Sequence, residues 1–198
     1  MKAEIVFLLD MTGSMWKIKE DAIGGFNQFV QEQQKVDGEA DMTLILFNSY
    51  KYNKLFEGRD IQHVPLLNEE SYRPDHFTPL LDSLGRAINE TDERIKKQDL
   101  KAEKVIFVVL TDGEENDSKE YSKQQVLDMV KDKQDNSKWE FIYLGANQDS
   151  FAEAGALGFR KANISNYAPT GQGVRSAYNI SSSLTSTYRT GGGDASSH

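Results

Sequence analysis

The hexapeptide DMTGSM, residues 10–15, sets Asp10, Thr12 and Ser14 at alternating positions directly after the apolar run IVFLL. Asp112 follows Leu110 and Thr111 in VVLTDGEEN, and Thr78 stands before Pro79 in FTPLLDSLGRAI. Asp10, Asp112, Thr12, Ser14 and Thr78 together offer carboxylate and hydroxyl oxygen and nothing softer. That donor set suits a hard, six-coordinate cation, Mg²⁺ first, with Mn²⁺ or Ca²⁺ as alternatives, all of which take oxygen ligands. Zinc is disfavoured, because the chain has no cysteine and these loops hold only His76. Gly13 lets the first loop bend so that Thr12 and Ser14 turn toward one point, and Gly113 does the same after Asp112. Each motif also has a plainer reading: Ser14 as a helix cap, Thr78-Pro79 as a helix start, TDG as a turn. Their joint occurrence favours convergence on a cation.

The elements that must position these groups follow from periodicity. Strand-like runs fall at 4–10, 40–50, 104–112 and 139–147. Between them lie helical patterns. Trp16, Ile23, Phe26, Phe29 and Val30 make one stripe, with Gly38 as a stop, and Leu80, Leu81, Leu84, Ile88 and Ile95 make another, with Thr78 as cap. A third helix is expected over 118–134 and a short one near SFAEAGALGF, with Asn147 and Asp149 as its cap. Near-continuous hydrophobic strands alternating with amphipathic helices predict a doubly wound, Rossmann-like α/β/α domain with a mostly parallel sheet. Asn48, Ser49 and Asn53 offer a turn and Tyr52–Phe56 a short antiparallel return, so one edge strand is antiparallel. Ligands of such sheets bind beyond the carboxyl ends of the strands, where strand order reverses, which is where the loops carrying Asp10 and Asp112 lie. The segment from 169 is Ser/Thr/Gly-rich, yet Val174, Tyr178, Ile180, Leu184 and Tyr188 form a weak helical face. The expected organisation is a domain over 1–168, a helical extension over 169–190 and a flexible tail over 191–198.

Composition narrows the function. Acids outnumber bases 31 to 23 for a formal charge of −8, and the bases are scattered, which argues against nucleic acid as a partner. The opening MKAEIVFLLD reads as a strand and not a signal peptide, and no apolar run reaches spanning length, so a cytoplasmic protein without membrane contact is the expectation. The absence of cysteine agrees with a reducing compartment.

With these residues in place, the chain over about 3–168 resembles a von Willebrand factor type A domain of the compact prokaryotic or phage kind. DMTGSM is similar to the family's first metal-site motif, FTPLLDSLGRAI to its second element and VVLTDGEEN to its third. The resemblance implies a metal-ion-dependent adhesion site. Ser14, Thr12 and sometimes Thr78 would bind the cation directly, Asp10 and Asp112 directly or through water, and an Asp or Glu carboxylate of a partner protein would complete the shell. Threonine at position 12, where many relatives have serine, keeps the hydroxyl and restricts its rotamers. The implied role is recognition without turnover.

Two other classes compete with that reading. A Mg²⁺-dependent phosphatase or phosphotransferase of the haloacid dehalogenase type needs a second acid where Thr12 stands, and no Gly-Lys-Ser/Thr phosphate loop is present. The third reading is a structural domain with a vestigial site. Among the remaining residues, Glu114, Glu115 and Asp117 are read as acids favouring the next helix's start, with Asn116, Asp117 or Ser118 capping it. Tyr50, Tyr52 and Phe56 are either an exposed aromatic patch or buried at the sheet edge.

Overall fold

A computed structural model describes residues 2–97, 104–112, 115–146 and 149–191. Six strands, β1 (Lys2–Asp10), β2 (Glu39–Asn48), β3 (Lys51–Asp60), β4 (Lys104–Thr111), β5 (Glu140–Gly145) and β6 (Ile164–Asn166), form one sheet in the order β3-β2-β1-β4-β5-β6. Among the described residues only the β2–β3 pairing is antiparallel. Among the described residues, the helices α1 (Lys19–Gln33), α2 (Leu80–Lys97), α3 (Lys123–Asn136), α4 (Ser150–Ala156) and α5 (Gly171–Arg189) cover its two faces. This is the mostly parallel, three-layer architecture expected, with its antiparallel strand at one edge.

Strand alternation sorts the core. Ile5, Phe7 and Leu9 of β1 face a layer that includes Phe26, Phe29 and Val30 of α1 and Val174, Ala177 and Tyr178 of α5. Val6 and Leu8 face the opposite layer, with Leu80, Leu84 and Ile88 of α2 and Val126 and Val130 of α3. Burying each such side chain contributes about 1.5–3 kcal/mol. Phe7 packs edge-on against Phe26 and Phe29 and stacks on Tyr178, with centroids 5.4, 5.2 and 5.9 Å away. Gly25 lets α5 approach: a Cβ there would collide with the Tyr178 ring.

Several elements differ from their sequence-based expectation. The first helical stripe divides into a 3₁₀ turn, Gly13–Ile18, and α1, so Trp16 leaves the stripe and is exposed. On α5 it is Ala177, Ser181 and Thr185 that complete the face made by Val174, Tyr178 and Tyr188, while Ile180 is exposed. The edge strand β3 runs from Lys51 to Asp60, beyond Phe56, because pairing with β2 extends a polar segment that carries no hydrophobic signal. Helix α3 begins at Lys123, where Ser122 and Gln125 form a capping box, and not at 118. Strand β6, three residues long, has no counterpart in the sequence-based expectation. The expectations for Gly113, Glu114 and Asn147, and for the tail from 192 onward, lie outside the described residues.

Candidate metal centre

The strand order reverses between β1 and β4, so the loops after these two strands diverge around a cleft at the carboxyl end of the sheet. Asp10 is the last residue of β1 and is fully buried. Its Oδ1 accepts the Thr12 N–H at 2.7 Å and its Oδ2 accepts the Thr111 hydroxyl at 2.6 Å. Ser14 donates its hydroxyl to Asp112 Oδ1 at 2.6 Å. Thr12 Oγ1 and Ser14 Oγ lie within hydrogen-bond distance of each other, at 3.2 Å. Asp10, Thr12, Ser14 and Asp112 are thus joined by hydrogen bonds in one cluster. It grades from buried Asp10 and Thr12 through half-buried Asp112 to exposed Ser14.

The plainer reading of the hydroxyls is not what the chain builds. Thr12 occupies the N-cap position of the 3₁₀ turn with extended dihedrals, but its side chain makes no capping bond. Ser14 lies inside that turn, and its hydroxyl reaches across to Asp112.

Thr78 lies on a segment that backbone bonds hold against the first loop, and its own hydrogen bonds go to Asn116. Gly13 N–H donates to His76 O at 3.0 Å, and Asp75 N–H to Met11 O at 2.9 Å, so the segment before α2 lies against the first loop. Thr78 is buried, and it exchanges two bonds with Asn116: Thr78 N–H to Asn116 Oδ1 at 2.9 Å and Asn116 N–H to Thr78 O at 3.1 Å. Glu115 accepts the Leu81 N–H at 2.8 Å, and Ser118 Oγ accepts that of Asp82 at 3.1 Å. The 115–118 segment therefore serves the start of α2 and not, as expected, that of α3. Asp82 replies by accepting the N–H groups of Lys119, Glu120 and Tyr121.

Buried tyrosines fix the strand ends beneath the cluster. Tyr72 donates its hydroxyl to Asp10 O at 2.5 Å, and Tyr167 donates to Thr111 O at 3.1 Å. Sequence reasoning singles out neither of them, nor Thr111. Thr111 has a usable signal, as a polar strand-end residue beside Asp112. Tyr72 has none, lying in a segment between β3 and α2 without regular secondary structure beyond residue 63.

Burial pushes the Asp10 carboxyl up to about 6 from an ordinary 3.8, against the bonds from Thr111 and Thr12, and the neighbouring charge of Asp112 adds to the rise. Asp112 is also raised, chiefly by burial, with the Ser14 bond and the Lys17 charge opposing. Among the described residues no lysine, arginine or histidine forms an ion pair with either carboxylate. No group of three or more acidic or histidine side chains that could hold a metal occurs among them. The arrangement is two carboxylates supplemented by neutral hydroxyls, a donor set that fits a hard cation and not zinc.

No family model and no curated protein matches the chain. Solved structures do match. The von Willebrand factor type A protein from Catenulispora acidiphila superposes with a TM-score of 0.55 at 13% identity, over 95% of this chain and 43% of that one. Manganese-loaded TRAP protein of Plasmodium vivax gives 0.57 at 14% identity, over 95% of this chain and 73% of that one. The pilus adhesin SpaC from Lactobacillus rhamnosus GG, in its open conformation, gives 0.62 at 14%, over 94% of this chain and 30% of that one. The chain spans less than half the length of the first and third of these. At such identities the likeness concerns the fold, which is that of a von Willebrand factor type A domain.

Proposed function

We propose that this chain is a non-enzymatic, metal-dependent protein-binding module that grips an Asp or Glu carboxylate of a partner through Mg²⁺, or Mn²⁺, held by Asp10, Thr12, Ser14, Thr78 and Asp112. The observation that carries this reading is the fully buried Asp10 carboxylate, raised to about 6, with hydroxyls and a second carboxylate beside it but no side-chain ion pair among the described residues. A buried ionised carboxylate is costly unless a cation meets it. A divalent ion would supply that charge, and neutral hydroxyl ligands would leave it electrophilic toward one more carboxylate. The fold adds support: one structural neighbour is a manganese-loaded protein and another a pilus adhesin. Thr12 stands where a phosphatase of the haloacid dehalogenase type needs its second acid, so the residues bind and orient without a nucleophile and acid pair.

The protein's residues have separable tasks. Asp10 and Asp112 provide charge, Thr12 and Ser14 provide neutral oxygen, and Tyr72 and Tyr167 hold the strand ends at fixed separation. Water-proton relaxation of Mn²⁺-loaded protein tests the reading. Acetate should displace metal-bound water and lower the relaxation enhancement in the wild type. Ser14→Ala and Asp112→Ala should take up little Mn²⁺ while keeping the wild-type circular dichroism. Mn²⁺ uptake unaltered by Asp112→Ala would refute the assignment.

A further inference from the structure

Three exposed aromatic side chains stand on or beside the loops that build the candidate metal centre. Trp16, two residues after Ser14, is 61% exposed, Phe77, next to Thr78, is 63% exposed, and Tyr50, in the β2–β3 turn, is 76% exposed. The loops are tied together. Ser49 and Phe77 exchange two bonds, Ser49 N–H to Phe77 O and Phe77 N–H to Ser49 Oγ, each 3.1 Å. Tyr50 packs on His76 with centroids 4.2 Å apart, and His76 O holds Gly13 N–H. His76 adopts φ 69°, a left-handed conformation that is strained for a residue with a side chain. Beside Tyr50 lies a cleft of about 490 Å³ whose walls include Met11, Leu55 and Pro74 along with Lys51 and Arg73.

Aromatic groups on such loops cost solubility and add nothing to the core, and they are enriched where partners dock. Charge restricts the partner. At the cleft Lys51 and Arg73 are balanced by the acids Glu70 and Asp75, so the surface beside the site favours uncharged flanks. Exposed Glu70 and Asp75 border the same cleft and would repel a run of acids.

We infer that the partner is a protein segment bearing a single carboxylate flanked by apolar or aromatic side chains, which Trp16, Phe77 and Tyr50 cover while the cleft beside Tyr50 seats one flank. This rests on the metal-dependent reading above and goes further by naming what surrounds the carboxylate. The apolar flanks supply affinity, and the metal bond supplies register.

The test uses the full chain and capped hexapeptides with one central aspartate, flanked by leucine and phenylalanine, by glycine, or by glutamate. Calorimetry in Mn²⁺ should show the apolar-flanked peptide binding about tenfold more tightly than the glycine peptide, and the glutamate peptide more weakly than either. Trp16 should report binding by fluorescence, since the chain's other tryptophan, Trp139, is buried against Phe107. Trp16→Ala with Phe77→Ala should erase the preference and leave the Mn²⁺ affinity within about twofold, since both substitutions keep every oxygen donor of the cluster in place. Mn²⁺-dependent binding of all three peptides with equal affinity, or tightest binding of the glutamate peptide, overturns the inference and leaves the metal site standing. Failure to take up Mn²⁺ overturns both.

Discussion

Strand β1 carries a buried carboxylate at each end, and the two are treated in opposite ways. Glu4, near the amino end, is met by the chain's own cation: Arg94 near the end of α2 reaches it at 2.5 Å, and Thr43 donates its hydroxyl at 3.1 Å. Thr43 Oγ1 in turn accepts Gly58 N–H at 3.0 Å, where β3 is irregularly paired and Gly58 takes φ 56°. Asp10, at the carboxyl end, is met among the described residues by Thr12 and Thr111, with Asp112 nearby. Burial raises both carboxyls, but among the described residues one stands opposite an internal guanidinium and the other forms no ion pair. The amino end is a closed structural knot. On the reading proposed above, a divalent cation from outside the chain would meet the charge at the carboxyl end.

The comparison is broken most severely at the closed end. Arg94→Ala leaves Glu4 buried without its cation and should cost about 3–5 kcal/mol, seen as a fall of about 10 °C in Tm by calorimetry. Asp10→Asn should do the reverse in chelator, because it removes a charge that burial disfavours. The displacement of Asp10 from 3.8 to about 6 corresponds to about 3 kcal/mol at pH 7. The Asp10→Asn variant should therefore be at least as stable as the wild type without metal and gain nothing from Mn²⁺.

The sign of the pH dependence follows from the same group. The folded chain holds the Asp10 proton more tightly than the unfolded chain, so this contribution is full below about pH 4 and is lost as pH rises to about 6. On the proposed reading, a bound divalent cation would reverse the penalty. The Mn²⁺-induced gain in Tm should grow across that interval, and a gain independent of pH would contradict the assignment of Asp10. A smaller effect is expected beneath the site. Tyr72→Phe removes the donor to Asp10 O and should cost about 1–2 kcal/mol with a few-fold loss of Mn²⁺ affinity, measured by denaturant titration and calorimetry. Gly58→Ala should cost about 1–2 kcal/mol, through a left-handed φ and a Cβ 2.9 Å from Arg94 Nη1, without touching metal affinity.

How much of this is legible in the sequence depends on whether the signal is local. The β1, β2, β4 and β5 runs are hydrophobic enough to fix a parallel sheet, and the motif residues Asp10, Thr12, Ser14 and Asp112 stand at strand ends that the topology brings together. Legibility fails where partners come from far away in the chain. Tyr72 lies 62 residues from the carbonyl it supports, and Arg94 is separated from Glu4 by α1, β2, β3 and most of α2. Trp16 falls on a helical stripe by spacing alone, and the 3₁₀ turn at Gly13–Ile18 rotates it outward. Asn116 reads as a cap for the helix following it, but it pairs with Thr78, so the third motif serves the second.

The most direct test of the central claim is calorimetric titration of Mg²⁺ and Mn²⁺ into metal-stripped protein, with Asp112→Ala alongside. Saturable one-to-one binding, weakened about a hundredfold or more by the substitution, is the predicted result. Absence of binding in the wild type, or equal binding in both proteins, would contradict it.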